Sequence, residues 1–98
     1  MAEAYYASIA PHNPHGPISL AAGVQLAASI PNFHILEQAT LGEGYLVDPF
    51  QLREGYLDLP SGTGLGIELD EDALASKLGH DWKAPGLYDV DDSSVRDW

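Results

Sequence analysis

The fold of this chain is decided by residues 5–37, which read YYASIAPHNPHGPISLAAGVQLAASIPNFHILE. Short runs rich in aromatic or β-branched residues and bounded by Pro or Asn are typical of strands, which predicts strands over 5–11 and 32–37. The apolar stretch between them predicts a helix over 18–29. A strand, a helix and a strand form one βαβ unit, whose right-handed crossover makes the two strands parallel neighbours.

Two polar residues stand where these strands end. His12 follows the first strand and Glu37 closes the second. The carboxyl ends of parallel strands meet at one edge of a sheet, and that edge carries the chemistry of α/β proteins. We therefore expect the imidazole of His12 and the carboxylate of Glu37 to project from the same end of the sheet.

Prolines and capping residues mark the other boundaries. Pro17 suits the first helical position because it lacks an N–H, and Pro31 ends the helix because the residue before a proline avoids the α region. Asp70 predicts the start of a second helix and Gly79 its end. The predicted segments are a loop over 38–55, an extended piece over 56–60, a glycine turn over 61–66, an extended piece over 67–69, a helix over 71–79 and a solvated tail over 80–98.

The composition limits the classes of function. The chain has 98 residues, enough for one domain with a modest core. It has no Cys, which excludes disulfides and thiolate metal sites and predicts a reducing, cytoplasmic setting. The net charge of −11 argues against nucleic acids and anionic membranes as partners. No apolar run has the length of about 18 residues that a membrane-spanning helix requires.

The charges are distributed unevenly. No Asp, Glu, Lys or Arg occurs from Ala4 to Leu36, whereas all four basic residues and every acid except Glu3 lie at or beyond Glu37. A helix that is apolar nearly all round is normally covered on several sides. The acidic remainder, rich in Gly and Pro, is poorly suited to cover it, so we expect the sequence to be part of a larger body.

Five motifs in register carry a resemblance to a known family. They are Ala10-Pro11-His12-Asn13-Pro14, Gly16-Pro17-Ile18, Asn32-Phe33 with Leu36-Glu37-Gln38, Gly64-Leu65-Gly66-Ile67-Glu68-Leu69-Asp70-Glu71, and Ser94-Val95-Arg96-Asp97-Trp98. In this order they resemble the C-terminal quarter of acid-sugar dehydratases of the galactonate dehydratase type, in the mandelate racemase branch of the enolase superfamily. Each motif alone is weakly specific, but together they extend over essentially the whole chain.

The resemblance implies an α/β fold, a truncated (β/α)₈ TIM barrel. Residues 1–98 would form a partial C-terminal barrel domain, in which 5–37 supplies the seventh strand, seventh helix and eighth strand. Residues 38–98 would supply a loop, a short helix and the C-terminal tail. A whole barrel has about 250 residues. We expect Met1 to be an internal methionine of a longer parent, or the start of a mispredicted or degenerate reading frame.

The resemblance also implies a chemistry for two residues. The residue in the position of His12 is the base that removes the proton α to a sugar-acid carboxylate, and the acid in the position of Glu37 hydrogen-bonds the developing ene-diolate. Loss of the 3-hydroxyl as water then gives a 2-keto-3-deoxy acid. In the family Mg²⁺ stabilises the ene-diolate, but its ligands, the leaving-group acid and the Asp that orients the base lie on earlier strands. We therefore expect no metal ligand within this chain and no activity from the chain alone.

The other histidines have plainer interpretations. His15 is three residues from His12, but no third metal ligand lies near them in the sequence. We retain His15 as a substrate-binding position, although a simple loop residue is the favoured interpretation. His34 is interpreted as part of the strand wall and His80 as a cation at a helix C-terminus. The glycines of 61–66 precede an extended piece rather than a helix, which argues against a phosphate loop.

Other functions stay open at this stage. Racemisation or epimerisation of a 2-hydroxy acid is the near alternative to dehydration of a sugar acid. A non-catalytic binding or assembly module would dock its uncharged face onto the missing barrel segments. A non-functional remnant would fold poorly or self-associate, because two parallel strands expose unpaired edges on both sides.

Overall fold

The computed structural model describes residues 1–79, Tyr88 and residues 91–94. Its regular elements in chain order are a 3₁₀ helix at Ala2–Tyr5, helix α1 at Pro17–Ser29, strand β1 at Leu52–Arg53, strand β2 at Tyr56–Leu57 and helix α2 at Glu71–Ala75. The predicted cation His80 and residues 95–98 of the last motif lie outside the described residues. No helix among the described residues is long and apolar enough to cross a membrane.

Helix α1 agrees with the sequence prediction to within one residue. Pro17 lies in its first turn and Gly16 is its N-cap. Ile30 is extended, with φ −118° and ψ 138°, as expected for the residue before Pro31. The two prolines therefore set both ends of the helix.

Two extended segments lie parallel beside each other, as the βαβ prediction requires. Ile9 forms an isolated parallel bridge with Phe33. The amide of Ile9 donates to the carbonyl of Asn32 at 2.8 Å, and the amide of His34 donates to the carbonyl of Ile9 at 2.9 Å. Helix α1 joins the two segments, so the predicted order of extended segment, helix and parallel extended segment is confirmed.

The pairing changes at Pro11. In a regular parallel ladder, residue 11 would donate to the carbonyl of His34 and Leu36 would donate back to residue 11. Pro11 has no N–H to donate. The amide of Glu37, rather than that of Leu36, reaches the carbonyl of Pro11, at 3.3 Å. The register therefore slips by one residue at Pro11, and regular strand pairing ends there.

The prediction of a strand over 5–11 is wrong at the N-terminal end of that range. Tyr5 ends the 3₁₀ helix, and Tyr6 has a left-handed backbone with φ 56°. Both rings are exposed, and the amides of Tyr6 and Ala7 bond to carbonyls of the 3₁₀ helix itself. The aromatic content suggested a strand, but the paired part of the segment is confined to the neighbourhood of Ile9.

A hairpin begins near the end of the segment 38–55, for which the sequence analysis predicted only a loop. Strands β1 and β2 pair antiparallel, with Leu52 opposite Leu57. The two turn residues, Glu54 and Gly55, have φ of 52° and 86°. A two-residue turn of this kind requires positive φ at both positions. Glutamate is uncommon in that conformation, so little in the local sequence indicates the hairpin.

Helix α2 begins as predicted and ends early. Asp70 caps it by accepting a backbone N–H through Oδ1 at 2.9 Å. Regular helix stops at Ala75 rather than near Gly79, which has φ 79°. Beyond the helix, the Nζ of Lys77 lies 3.8 Å from the ring centroid of Tyr45. This cation–π contact ties the end of α2 to the loop before the hairpin.

The core lies between α1 and the segment 41–50. Its buried hydrophobic residues are Leu20, Ala21, Val24, Leu46 and Phe50. Leu46 also forms an antiparallel bridge with Leu69, so 67–69 is extended as predicted. On other sides of α1, Ile18 and Leu26 are about half exposed. This exposure agrees with the expectation that the rest of the chain leaves part of the helix uncovered.

The glycine turn over 61–66 is confirmed and is attached to α1. The side chain of Gln25 donates from Nε2 to the carbonyl of Leu65 at 3.4 Å and to that of Pro60 at 3.5 Å. Pro60 directly precedes the turn and Leu65 lies within it. The middle of α1 is therefore joined to the turn through one amide group.

The described part of the tail, 91–94, is exposed, as predicted. A hydrogen bond from the side chain of Ser94 and another from its backbone lower the pKa of the Asp92 carboxyl. The backbone N–H of Ser94 lies 2.8 Å from Oδ1 of Asp92. This contact is local to the tail and spans two residues of sequence.

Candidate functional site

His12 and Glu37 meet at the end of the parallel pair. The Nδ1 of His12 lies 2.6 Å from Oε2 of Glu37. This distance lies within hydrogen-bond range and is short, as hydrogen bonds to charged groups generally are. The site is open, since 78% of the His12 side chain and 48% of the Glu37 side chain are exposed. The structure thus brings together the two residues that the sequence analysis placed at one sheet edge.

The slip at Pro11 explains how Glu37 reaches His12. Side chains of an extended segment alternate between two faces, so a shift of one residue moves a side chain to the other face. Because the amide of Glu37 bonds to the carbonyl of Pro11, Glu37 lies beside the residues that follow Pro11. A backbone hydrogen bond therefore holds the loop after Pro11 close to the end of the second segment, independently of any side-chain contact.

Asn13 is a third residue of this site, and sequence reasoning missed it. Its backbone N–H donates to Oε2 of Glu37 at 2.7 Å. Asn13 is only 3% exposed, and neither Oδ1 nor Nδ2 of its side chain has a hydrogen-bond partner within the described parts of the chain. The sequence signal that could have identified Asn13 is its position directly after the candidate base His12, between Pro11 and Pro14.

His15 and His34 stand apart from the pair. Both are exposed, and within the described residues neither is joined to His12 by a hydrogen bond or an ion pair. His34 lines a cavity of about 320 Å³ together with Phe33 and Tyr56, which agrees with its interpretation as part of a wall. A role of His15 in substrate binding stays a prediction.

The described residues do not form a magnesium site. Among them, no group of three or more His, Asp or Glu side chains is arranged to hold a metal ion. Mg²⁺ requires near-octahedral oxygen ligands. The site has one carboxylate, that of Glu37, and its Oε2 already accepts the N–H of Asn13. Ligands for Mg²⁺ would have to come from outside the described residues.

Comparison with known proteins identifies the family. The family described as enolase C-terminal domain-like matches residues 1–73, which include His12, Glu37 and α1. The chain belongs to this family. The enolase resemblance suggested by the five motifs is therefore confirmed.

Curated relatives of this enolase C-terminal domain-like chain are named as sugar-acid dehydratases. It is 33% identical to the D-galactonate dehydratase of Variovorax paradoxus and 37% identical to that of Ralstonia pickettii, over all of this chain and 28% of each relative. It is 34% identical to the D-xylonate dehydratase of Haloferax volcanii, over 80% of this chain and 20% of the relative. The chain thus spans little more than a quarter of the length of the relatives that it matches.

Solved enolase structures share the fold. An enolase from Agrobacterium radiobacter with bound sodium and L-malate has a TM-score of 0.77 and 34% identity, covering 96% of this chain and 28% of the enolase. An enolase of the mandelate racemase subgroup from Agrobacterium tumefaciens has a TM-score of 0.67 and 32% identity, covering 78% of this chain and 22% of the enolase. The small α/β arrangement described above is therefore an enolase C-terminal domain-like fold.

Proposed function

We propose that this chain carries the proton-abstracting end of an acid-sugar dehydratase site. The observation that carries the proposal is the 2.6 Å contact between His12 and Glu37 at the shared end of the two parallel segments. Relatives named D-galactonate and D-xylonate dehydratase supply the substrate class, a sugar acid with a free carboxylate. The L-malate bound to a similar enolase is likewise a 2-hydroxy acid.

In the proposed reaction His12 is the general base. Its exposed imidazole removes the proton α to the sugar-acid carboxylate, and the electron pair of the C–H bond passes into the carboxylate to form an ene-diolate. Glu37 hydrogen-bonds the ene-diolate as its charge develops. The 3-hydroxyl, protonated by an acid from another segment of the barrel, would leave as water, and the resulting enol would tautomerise to the 2-keto-3-deoxy acid. His15 is retained as a substrate contact on the same loop.

The proposal assigns the chain to one part of a (β/α)₈ barrel. The extended segments and α1 within 5–37 are the seventh strand, seventh helix and eighth strand, and 38–98 follow them as loop, short helix and tail. Mg²⁺ would supply electrostatic stabilisation of the ene-diolate when bound by ligands from other segments. The roles of His12 and Glu37 do not require either residue to bind the metal.

A chimeric enzyme tests the proposal. The 28% of the Ralstonia pickettii D-galactonate dehydratase that this chain matches is replaced by residues 1–98. We expect the chimera to form 2-keto-3-deoxy acid from D-galactonate in the presence of Mg²⁺. His12→Asn should lower kcat by at least about 100-fold, the usual contribution of a general base.

His34→Asn is the matched control, because it makes the same substitution at an exposed histidine to which the proposal assigns no role. It should keep most of kcat. Circular dichroism and gel filtration would show that the chimera and both variants are folded to the same extent. Equal kcat in His12→Asn and the parent chimera would contradict the proposal, and so would a folded chimera that has no activity with any sugar acid tested.

A further inference from the structure

We infer that one face of helix α1 is a docking surface for a second copy of this chain. The face consists of Ile18, Ala22 and Leu26, and we call it the α1 stripe. Two copies meet there in an antiparallel arrangement, about a two-fold axis that passes close to Ala22. The inference concerns the association of the 98-residue chain in solution and does not depend on the proposed function.

The α1 stripe is an uncovered side of an apolar helix. Its three residues are spaced i, i+4 and i+8, so they lie along one face of α1. Ile18 and Leu26 are 52% and 50% exposed, and Ala22 is exposed between them. Another side of the helix carries Leu20 and is buried in the core. A helix that is apolar on several sides is normally covered on several sides.

A groove beside the α1 stripe can receive a side chain. It has a volume of about 500 Å³, which is several times that of a leucine side chain. Ile18 and Ala22 of the stripe contribute to its lining, together with Tyr45, Leu69 and Leu74. None of the residues that line it is charged. The stripe therefore offers both a protruding apolar edge and an apolar recess next to it.

The order of side chains along the α1 stripe makes it self-complementary. Ala22 lies midway, with a large side chain about 6 Å along the helix axis on each side of it. In an antiparallel pair about a two-fold axis at Ala22, Ile18 faces Leu26 of the second copy, and the same contact is repeated at the other end. The small side chain of Ala22 allows the two helices to approach. Each Leu26 then lies against the groove beside Ile18 of the other copy, so one contact fills both grooves.

The charge distribution favours a second copy as the occupant. Near a two-fold axis each residue faces its own counterpart, so a charged residue there would meet a like charge. The segment 4–36, which contains the α1 stripe, has no Asp, Glu, Lys or Arg. A cationic partner would instead be attracted to the acidic residues beyond position 36. The α1 stripe is thus a surface on which an acidic chain can contact itself without charge repulsion at the centre of the contact.

The size of the contact predicts a reversible dimer. A stable interface buries about 800 Å² on each partner. Helix α1 has 13 residues and a length of about 20 Å, and the stripe is only one face of it. We therefore expect the dimer to form as the protein concentration rises. Salt should favour it, because screening weakens the repulsion between the acidic parts of the two copies.

Analytical ultracentrifugation of the 98-residue chain tests the inference. The average mass should rise from that of a monomer toward that of a dimer with concentration, and the dissociation constant should fall as salt is raised from about 0.01 M to about 0.15 M. Ala22→Glu should raise the dissociation constant at least about tenfold, because it brings two like charges together at the axis. Ala28→Glu is the matched control, since it adds the same charge at an exposed position of the same helix outside the stripe. It should have a much smaller effect.

A mixture of two variants tests the position of the axis. Ala22→Glu and Ala22→Lys should each associate poorly alone, because each meets its own charge in a second copy. A mixed dimer brings opposite charges together. The equimolar mixture should therefore associate at least about tenfold more tightly than either variant alone. Circular dichroism shows whether each variant keeps its helix.

Several outcomes would overturn the inference. One is a wild-type chain that stays monomeric at every concentration and salt, and another is a dimer that weakens as salt is raised. Equal dissociation constants for Ala22→Glu and Ala28→Glu would place the contact elsewhere, such as at the edges of the parallel segments. A mixture that associates no better than its components would exclude an axis at Ala22. If Ala22→Glu does not fold, Leu26→Ser takes its place with Ala28→Ser as control, and the dimer should again weaken only in the stripe variant.

Discussion

The amide of Glu37 bonds to the carbonyl of Pro11, one residue later than a regular parallel ladder would place it. A residue with an N–H at position 11 could donate to His34 and draw Leu36 into the regular register. Proline prevents this. The position of the Glu37 carboxylate therefore depends on a missing hydrogen-bond donor in the neighbouring segment.

Pro11→Ala tests this dependence. The restored N–H should extend the regular pairing by one step, make Leu36 the donor to position 11, and turn the Glu37 side chain to the opposite face. In the NMR spectrum, the Asn13 amide signal should move to higher field because its N–H loses the carboxylate acceptor, and the ring signals of His12 should change as the contact with Glu37 is lost. Pro14→Ala, which restores an N–H in the same loop outside the pairing, is the control. Unchanged Asn13 and His12 signals in Pro11→Ala would show that proline does not set the register.

The chain alone is expected to have no dehydratase activity. Deprotonation of a carbon next to a carboxylate needs the metal to stabilise the ene-diolate, and the described residues form no metal site. The chain is incubated with a panel of sugar acids and Mg²⁺, and 2-keto-3-deoxy product is compared with that of a His12→Asn control. Product above the control would mean that copies of the chain together build a working site.

Gly66 is expected to be the most sensitive glycine of the turn over 61–66. A Cβ at Gly66 would lie 2.5 Å from the Cβ of Pro60, and the backbone has φ 75°. Gly64 has a similar φ of 63° but open space around it, which makes it a matched control. Gly64→Ala should cost about 1–2 kcal/mol for the left-handed backbone alone, and Gly66→Ala clearly more. Urea unfolding followed by circular dichroism measures both, and equal losses would contradict the predicted clash.

Gln25→Ala should loosen the attachment of the same turn to α1. It removes the Nε2 donor that reaches the carbonyls of Pro60 and Leu65, at a cost of about 1 kcal/mol. Hydrogen exchange of the Gly66 amide should accelerate in this variant. Gln51→Ala is the control, since Gln51 makes an exposed hydrogen bond to the carbonyl of Pro49, two residues away and outside the turn. Similar exchange in both variants would show that Gln25 does not hold the turn.

Helix α1 was predictable because its ends are fixed by local chemistry. Pro17 and Pro31 restrict the backbone whatever surrounds them, so the sequence alone placed both ends correctly. The parallel order of the extended segments followed from the same helix, since a crossover of this length allows little else. The placement of His12 and Glu37 at one edge followed from that order, but their contact depends on the register slip at Pro11.

The remaining features depend on contacts that no local pattern encodes. Tyr5 has the aromatic character of a strand residue, but none of the segments that the structure describes pairs with it, and it ends a 3₁₀ helix. Glu54 adopts the left-handed backbone of the hairpin turn, although glutamate rarely adopts that conformation. The bond from Asn13 to Glu37 requires the register slip, which is a property of two segments together.

The separation of charge along the chain also determines how copies of it interact in solution. Residues 37–98 hold four basic and fourteen acidic side chains, a net charge of −10, whereas residues 4–36 hold none. The second part of the sequence is therefore polyanionic, and Coulomb repulsion between copies of the chain opposes aggregation through the uncharged segment. Salt weakens that repulsion, since the Debye length falls from about 30 Å at 0.01 M to about 8 Å at 0.15 M. Colloidal stability of the purified chain should consequently be greatest in dilute buffer.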